Sequence, residues 1–113
     1  MHELGLSDAL LRMVRDIVKK EELTHVEKIT LEIGELSGVV PRYMADCWEA
    51  VVDGTEYAGT KLVIDTVPGI ASCMDCDEEF RIDVNDMRCP FCGSRSLTPV
   101  SGRDMTLREI EAW

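Results

Sequence analysis

Between Ser7 and about Lys20 the apolar residues Leu10, Leu11, Val14, Ile17 and Val18 recur at helical spacing, which predicts an amphipathic first helix. Ser7 is its expected N-cap, Asp8 stands in the first turn, and Lys19 and Lys20 suit the negative end of the helix dipole. In "VEKITLEIGEL" the period drops to two. Ile29, Leu31 and Ile33 alternate with Lys28, Thr30 and Glu32, as in a strand with one wet face, and Gly34 is expected to end it. "SGVVP" reads as a turn into a second helix that opens on Pro41 and turns Tyr43, Met44, Cys47, Trp48, Val51 and Val52 inward. "KLVIDTVPG" predicts a second strand closed by Pro68 and Gly69, and "DMTLREIEAW" a third.

Between the last two strands the pattern fails. Residues 70–100 contain four of the five cysteines, both phenylalanines and too few apolar residues for a core of their own, so something other than apolar burial must hold them. The expected fold class is α+β, with two helices packed on a three-stranded sheet and an inserted zinc-ribbon module. The expected division is a domain of residues 1–69, completed by strand 101–113, and a metal module of residues 70–100. Gly69 to Ala71 and Pro99 to Gly102 read as paired hinges between them.

Composition narrows the partners. The 113 residues are 45% hydrophobic and 30% charged, enough for one modest core and unlike a disordered chain. No apolar run reaches the ~18 residues of a membrane span and no signal peptide precedes the first helix, so the expectation is a cytoplasmic protein without a membrane partner. A net charge of -10, with no basic patch, argues against nucleic acid. In a reducing compartment the cysteines point to metal before disulfides.

Cys73-Met74-Asp75-Cys76 and Cys89-Pro90-Phe91-Cys92 form a C-x2-C-x12-C-x2-C pattern. A two-residue gap turns both thiolates of a pair toward one ion, and two such pairs close a tetrahedral four-sulfur shell, which suits structural Zn(II) and leaves no open position for catalysis. Gly93 can take the left-handed conformation that ends a knuckle. The same shell suits iron, and spacing does not separate the two metals. Cys47, on the second helix beside Trp48, reads as a packing thiol.

The amino terminus offers a second donor set. A large second residue predicts that Met1 is retained, so the Met1 amine, the His2 amide and the His2 imidazole can close adjacent chelate rings on one ion. Such a nitrogen-rich set, with the amide deprotonated, favours square-planar Ni(II) or Cu(II) over tetrahedral Zn(II). Glu3 can add its backbone nitrogen or orient the imidazole through its carboxylate, and sequence does not choose between these roles. His25, in the loop after the first helix, is expected to be solvent-exposed and outside any site.

The terminal Met1-His2-Glu3, the strand "LEIGELSGV" from Leu31 to Val39, the two cysteine pairs and the closing "SGRDMTLREIE" together resemble the HypA/HybF hydrogenase nickel-incorporation family over essentially the whole chain. The resemblance implies a metallochaperone that is not an enzyme. It would carry Ni(II) as cargo and deliver it during [NiFe] hydrogenase maturation. Its implied partners are a HypB-type GTPase and the [NiFe] hydrogenase large subunit precursor. By position, His2 is the principal nickel ligand with Met1 and Glu3 beside it, and Cys73, Cys76, Cys89 and Cys92 hold structural Zn(II). Some relatives carry an acidic residue in the turn before the second helix, where this chain reads Gly38-Val39-Val40-Pro41, so a further carboxylate ligand is not expected there.

Two other functions compete on the residues alone. A rubredoxin-like electron carrier would hold iron in the four-sulfur site and be coloured, and a zinc-ribbon protein adaptor would be indifferent to His2. Nothing in the chain resembles a nucleophile with its base or a phosphate-cradling glycine loop.

Overall fold

The computed structural model describes residues 2–113, with only the backbone at His2; the expectations placed on Met1 and on the His2 side chain lie outside the described residues. In chain order the elements are α1 (His2–Lys20), β1 (Val26–Gly34), α2 (Pro41–Val52), β2 (Lys61–Val67), β3 (Ile70–Cys73), β4 (Glu79–Arg81), β5 (Leu97–Ser101) and β6 (Met105–Ala112).

Helix α1 starts at His2, well before the Ser7 expected to cap it. The buried stripe of the helix runs Glu3, Ser7, Leu10, Leu11 and Val14, so its first two members are polar and broke the apolar periodicity that marked the rest. Ser7 is fully buried and its hydroxyl donates to the Met44 carbonyl at 3.4 Å, tying α1 to α2. On α2, Pro41 fits the first turn, where a missing N–H costs nothing, and Val40 at the N-cap has no side chain that can accept a hydrogen bond. Met44, Trp48 and Val52 form the buried face of α2. Tyr43, expected to point inward, is exposed with Arg42 over its ring, because it precedes Met44 by one position and lies about 100° around the helix.

The first sheet has the order β2-β1-β6, with β1 parallel to β2 and antiparallel to β6. The parallel pair is joined through α2, a crossover that a tight turn cannot replace. Ile29, Leu31 and Ile33 face the helices beside Leu62, Ile64, Leu107 and Ile110, and one core of both helices and all three strands results. The opposite face is polar: Lys28 pairs with Glu111 at 3.4 Å, and Arg108, the extra residue at a bulge in β6, reaches Glu32 at 3.6 Å and Asp65 at 3.3 Å. The α+β arrangement expected from the sequence, two helices on a three-stranded sheet with the cysteine module inserted before the last strand, is the one observed.

The second sheet has the order β4-β3-β5 and carries the cysteines. Laid end to end with the first, it makes a molecule of 54 × 26 × 16 Å. Most of each segment expected to be a hinge is built into strands, since Ala71 pairs with Pro99 and Ile70 with Ser101 across β3 and β5, while Gly69 and Gly102 lie just outside them. The junction itself is tight. A Cβ on Gly34 would lie 2.0 Å from the Gly102 carbonyl oxygen, and one on Gly102, which has φ +81°, would lie 2.6 Å from that of Pro68. Only glycine lets these backbones approach so closely.

Candidate metal centre

The two cysteine pairs are folded alike. Cys73 closes β3, and after Cys76 the chain turns through Asp77, φ 63°, whose N–H donates to the Cys73 carbonyl at 2.9 Å. The second pair repeats this through Gly93, φ 75°, whose N–H donates to the Cys89 carbonyl at 2.8 Å. Gly93 was legible as the end of a knuckle; Asp77 was not, although aspartate is among the few residues that tolerate the left-handed region. The Ser94 hydroxyl donates to the Asp75 carboxylate and links one turn to the other. Phe80 and Phe91 meet edge to face with centroids 6.5 Å apart.

All four Sγ atoms lie within 4.8 Å of one another, with Cys73 3.5 Å from Cys92 and Cys76 3.6 Å from Cys89. These separations are too long for disulfide bonds, and the cysteines are free. They fit a tetrahedron about one ion, for which metal–sulfur bonds of ~2.3 Å imply edges of about 3.8 Å. Cys73 and Cys89 are buried, Cys76 is half-buried and Cys92 is exposed. The Phe91 N–H donates to the Cys89 sulfur at 3.4 Å.

The sulfurs do not ionise alike. The Cys76 backbone N–H, aided by that of Asp75, holds Cys73 down at about 7 against its burial. At Cys76 a Glu78 N–H favours the thiolate, but burial and the sulfurs of Cys89, Cys73 and Cys92 outweigh it and push the group up to about 12. Cys92 is likewise raised: the Ser94 N–H favours its thiolate, and the Cys73 sulfur and burial oppose it more strongly. Charging all four together requires a cation among them. The donor set, its spacing and its charge therefore fit a divalent ion with tetrahedral preference.

A second cluster, not read from the sequence, joins this module to the first sheet. Glu35, just beyond β1, accepts the Gly69 N–H at 2.7 Å and the Arg81 guanidinium through both carboxylate oxygens, at 3.2 and 2.7 Å. The Arg81 hydrogen bonds, then the Gly69 N–H, hold the Glu35 carboxyl below the usual carboxylate range, and Glu35 in turn raises Arg81. Two further bonds complete the junction, from Leu36 N–H to the Gly102 carbonyl at 2.7 Å and from Ile82 N–H to that of Gly69 at 2.8 Å. A depressed folded-state value means that Glu35 stabilises the junction above its unfolded value and loses that contribution as pH falls through the folded one. The Glu35→Gln protein should show faster amide exchange at Gly69 at neutral pH than wild type. The two proteins should converge in acid, where the wild-type carboxyl is protonated; identical exchange at both pH values would show that the ion pair is not what closes the joint.

Of the terminal candidates, Glu3 is the one whose side chain is described. It is 5% exposed, and its Oε2 accepts the Val40 N–H at 3.3 Å. The amino-terminal turn of α1 is thus held against the start of α2, where a carboxylate offsets the positive end of the helix dipole. His25 lies elsewhere, as expected: it is exposed, bonded to Glu27 at 2.9 Å and in tilted ring contact with Trp113, centroids 4.7 Å apart. Cys47 is half-buried and apart from the four-sulfur cluster. Among the described residues no helix is long and apolar enough to cross a membrane.

Four cysteines placed to hold one metal ion on a small three-stranded sheet, appended to a helix-covered sheet whose amino-terminal turn is pinned in place, define a small α+β metal-handling protein. The chain belongs to the HypA family: residues 1–112 match the family described as hydrogenase/urease nickel incorporation, metallochaperone, hypA. It is 39% identical over 111 residues to a hydrogenase maturation factor HypA of Dechloromonas aromatica, and 37% identical over 111 residues to one of Albidiferax ferrireducens, covering 98% of each partner in both comparisons. The fold is that of the solution structure of the Ni metallochaperone HypA from Helicobacter pylori, at TM-score 0.67 and 21% identity over 97% of this chain and 96% of that one. A second HypA solution structure superposes at TM-score 0.70 and 22% identity, over 100% and 97% of the two chains.

Proposed function

We propose that this protein binds Ni(II) at its amino terminus, through the Met1 amine, the His2 amide and imidazole and the Glu3 backbone nitrogen, and hands it on during maturation of a [NiFe] hydrogenase. The observation that carries the reading is the start of α1 at His2 beside a buried Glu3. The first N–H groups of a helix have no acceptor within it, so the amides of His2 and Glu3 have no intrahelical bond to break before they bind a metal. The Glu3 carboxylate is bonded to Val40, which favours its backbone nitrogen as the donor and gives the carboxylate the task of holding the chelate against α2. Membership of a nickel-incorporation family supplies the metal, and the maturation factors it resembles supply the destination.

In this reading Cys73, Cys76, Cys89 and Cys92 hold a structural Zn(II), and residues 70–100 form a module separate from the domain of residues 1–69 and 101–113. Four thiolates fill the shell, so zinc supplies folding energy and no open coordination position. Nickel is cargo and zinc is resident. A HypB-type GTPase and the hydrogenase large subunit precursor are the proposed partners. Calorimetric titration of nickel into the zinc-loaded protein tests the reading: wild type should bind one ion per chain, and His2→Ala should weaken binding at least ~100-fold, beyond the cost of losing an outer-shell partner. Equal affinities would move the nickel site away from the terminus.

A further inference from the structure

Strand β2 forms one edge of the first sheet, and its register with β1 sets like charges side by side on the polar face. Lys61 stands opposite Lys28, and Asp65 opposite Glu32. Like charges directly opposed across strands are unfavourable. Lys28 is relieved by Glu111, and Glu32 and Asp65 by Arg108, but Lys61 is exposed and has no ion pair among the described residues. Between Lys61 and Asp65 the strand alternates, with Lys61, Val63 and Asp65 on the polar face and Leu62 and Ile64 toward the helices. Its pairing with β1 is unbroken over the whole strand, whereas β6 at the other edge is kinked by the bulge at Arg108.

We infer that the β2 edge pairs antiparallel with the same edge of a second copy of this chain, about a two-fold axis through Val63. The stretch Lys-Leu-Val-Ile-Asp is self-complementary in that register and in no neighbouring one. Lys61 of each chain faces Asp65 of the other, Leu62 faces Ile64 on the helix side, and Val63 meets its own copy. Directly opposed residues of an antiparallel pair share a face, so charge meets opposite charge and apolar meets apolar at every position. The row across the joined sheets then reads Glu111, Lys28, Lys61, then Asp65 and Glu32 of the copy, the last two still reached by their own Arg108, which gives the unpaired Lys61 its missing counter-charge. A groove of about 250 Å³ between α2 and β2, lined by Trp48, Val52 and Leu62 together with Glu49, Thr60 and Lys61, opens beside this edge, where Ile64 of the copy would arrive. Thr66 and Val67, which lead to the metal module, stay outside the paired stretch. An interface of this kind is isologous and closes at two chains.

Sedimentation of the zinc-loaded full chain over a range of concentrations tests the pairing. Wild type should dimerise, less tightly as salt is raised. Lys61→Glu sets two acidic residues against each other at both ends of the interface, and Asp65→Lys sets two basic ones, so each variant alone should dimerise at least tenfold more weakly. Mixed one to one, the same two proteins restore both charge pairs and should form a heterodimer at least as readily as wild type dimerises, a result that loss of folding cannot mimic. A wild-type chain that stays monomeric at all concentrations overturns the inference, including the case in which the edge instead receives an extended segment of another protein. So do a wild-type dimer that either substitution leaves unchanged and a mixture that fails to associate.

Discussion

Replacing Cys89 with serine should release residues 70–100 from their folded state while the sheet of β1, β2 and β6 survives. Among the residues of the module only Ala71, Cys73, Ile82 and Cys89 are buried, two of them cysteines, so the packing that remains without a metal is slight. A structural zinc site contributes on the order of ~10–16 kcal/mol to folding at neutral pH, and a serine oxygen at one corner forfeits most of that. Amide protection in β3, β4 and β5 should therefore fall to that of unstructured chain in Cys89→Ser, and in wild type treated with a strong chelator. Protection at Ile29 and Leu31 should persist, because that core is shared by two helices and three strands. Metal analysis of the native protein should find one zinc per chain. Equal protection of β3 in variant and wild type would mean that the sulfurs are not what holds the module.

How much of this was legible depends on whether the cause lies along the chain or across it. Strand β1 was readable because Ile29, Leu31 and Ile33 alternate in sequence as they do in space, and the metal cluster because two short chelating pairs declare themselves by spacing alone. The start of α1 was hidden because Glu3 and Ser7 occupy core positions as polar residues, each with a hydrogen-bond partner far along the chain, at Val40 and Met44. A spacing of 3, 7, 10 and 14 is helical nonetheless, and reading polar residues as candidates for the buried stripe would have found it. The junction was not recoverable from any local pattern. Gly34, Gly69 and Gly102 come together from three parts of the chain, and the Glu35–Arg81 pair joins residues that only the fold makes neighbours. Pro and Gly at these positions did mark boundaries in the sequence; what they could not show is that the boundaries are closed.

Nickel binding should require a free amine at Met1, and blocking it should be as damaging as removing the imidazole. In the proposed chelate the Met1 amine, the His2 amide and the His2 imidazole close adjacent rings on one ion, so a residue added ahead of Met1 converts the first donor into an amide and moves the imidazole one position along the chelate. Extending the chain by one residue should thus weaken nickel at least ~100-fold, matching His2→Ala, because both remove an inner-shell donor. The helix makes the requirement stricter, since the carboxylate of Glu3 is bonded to Val40 and the terminus cannot shift register without giving up that contact. Acid should act on the same donors. A proton must leave the imidazole, with an ordinary pKa of ~6.5, and the amine, at ~7.7–8.0, before either can donate a lone pair, so apparent affinity should fall steeply below about pH 7. Affinity is present above those values and lost as protons return, the direction expected when the metal-bound form carries fewer of them. Calorimetry at several pH values in buffers of different ionisation enthalpy would count the protons released. Release of fewer than one proton per nickel, or an extended chain that binds as tightly as wild type, would exclude the terminal chelate and direct attention to the side chain of Glu3, to His25 or to the cysteines.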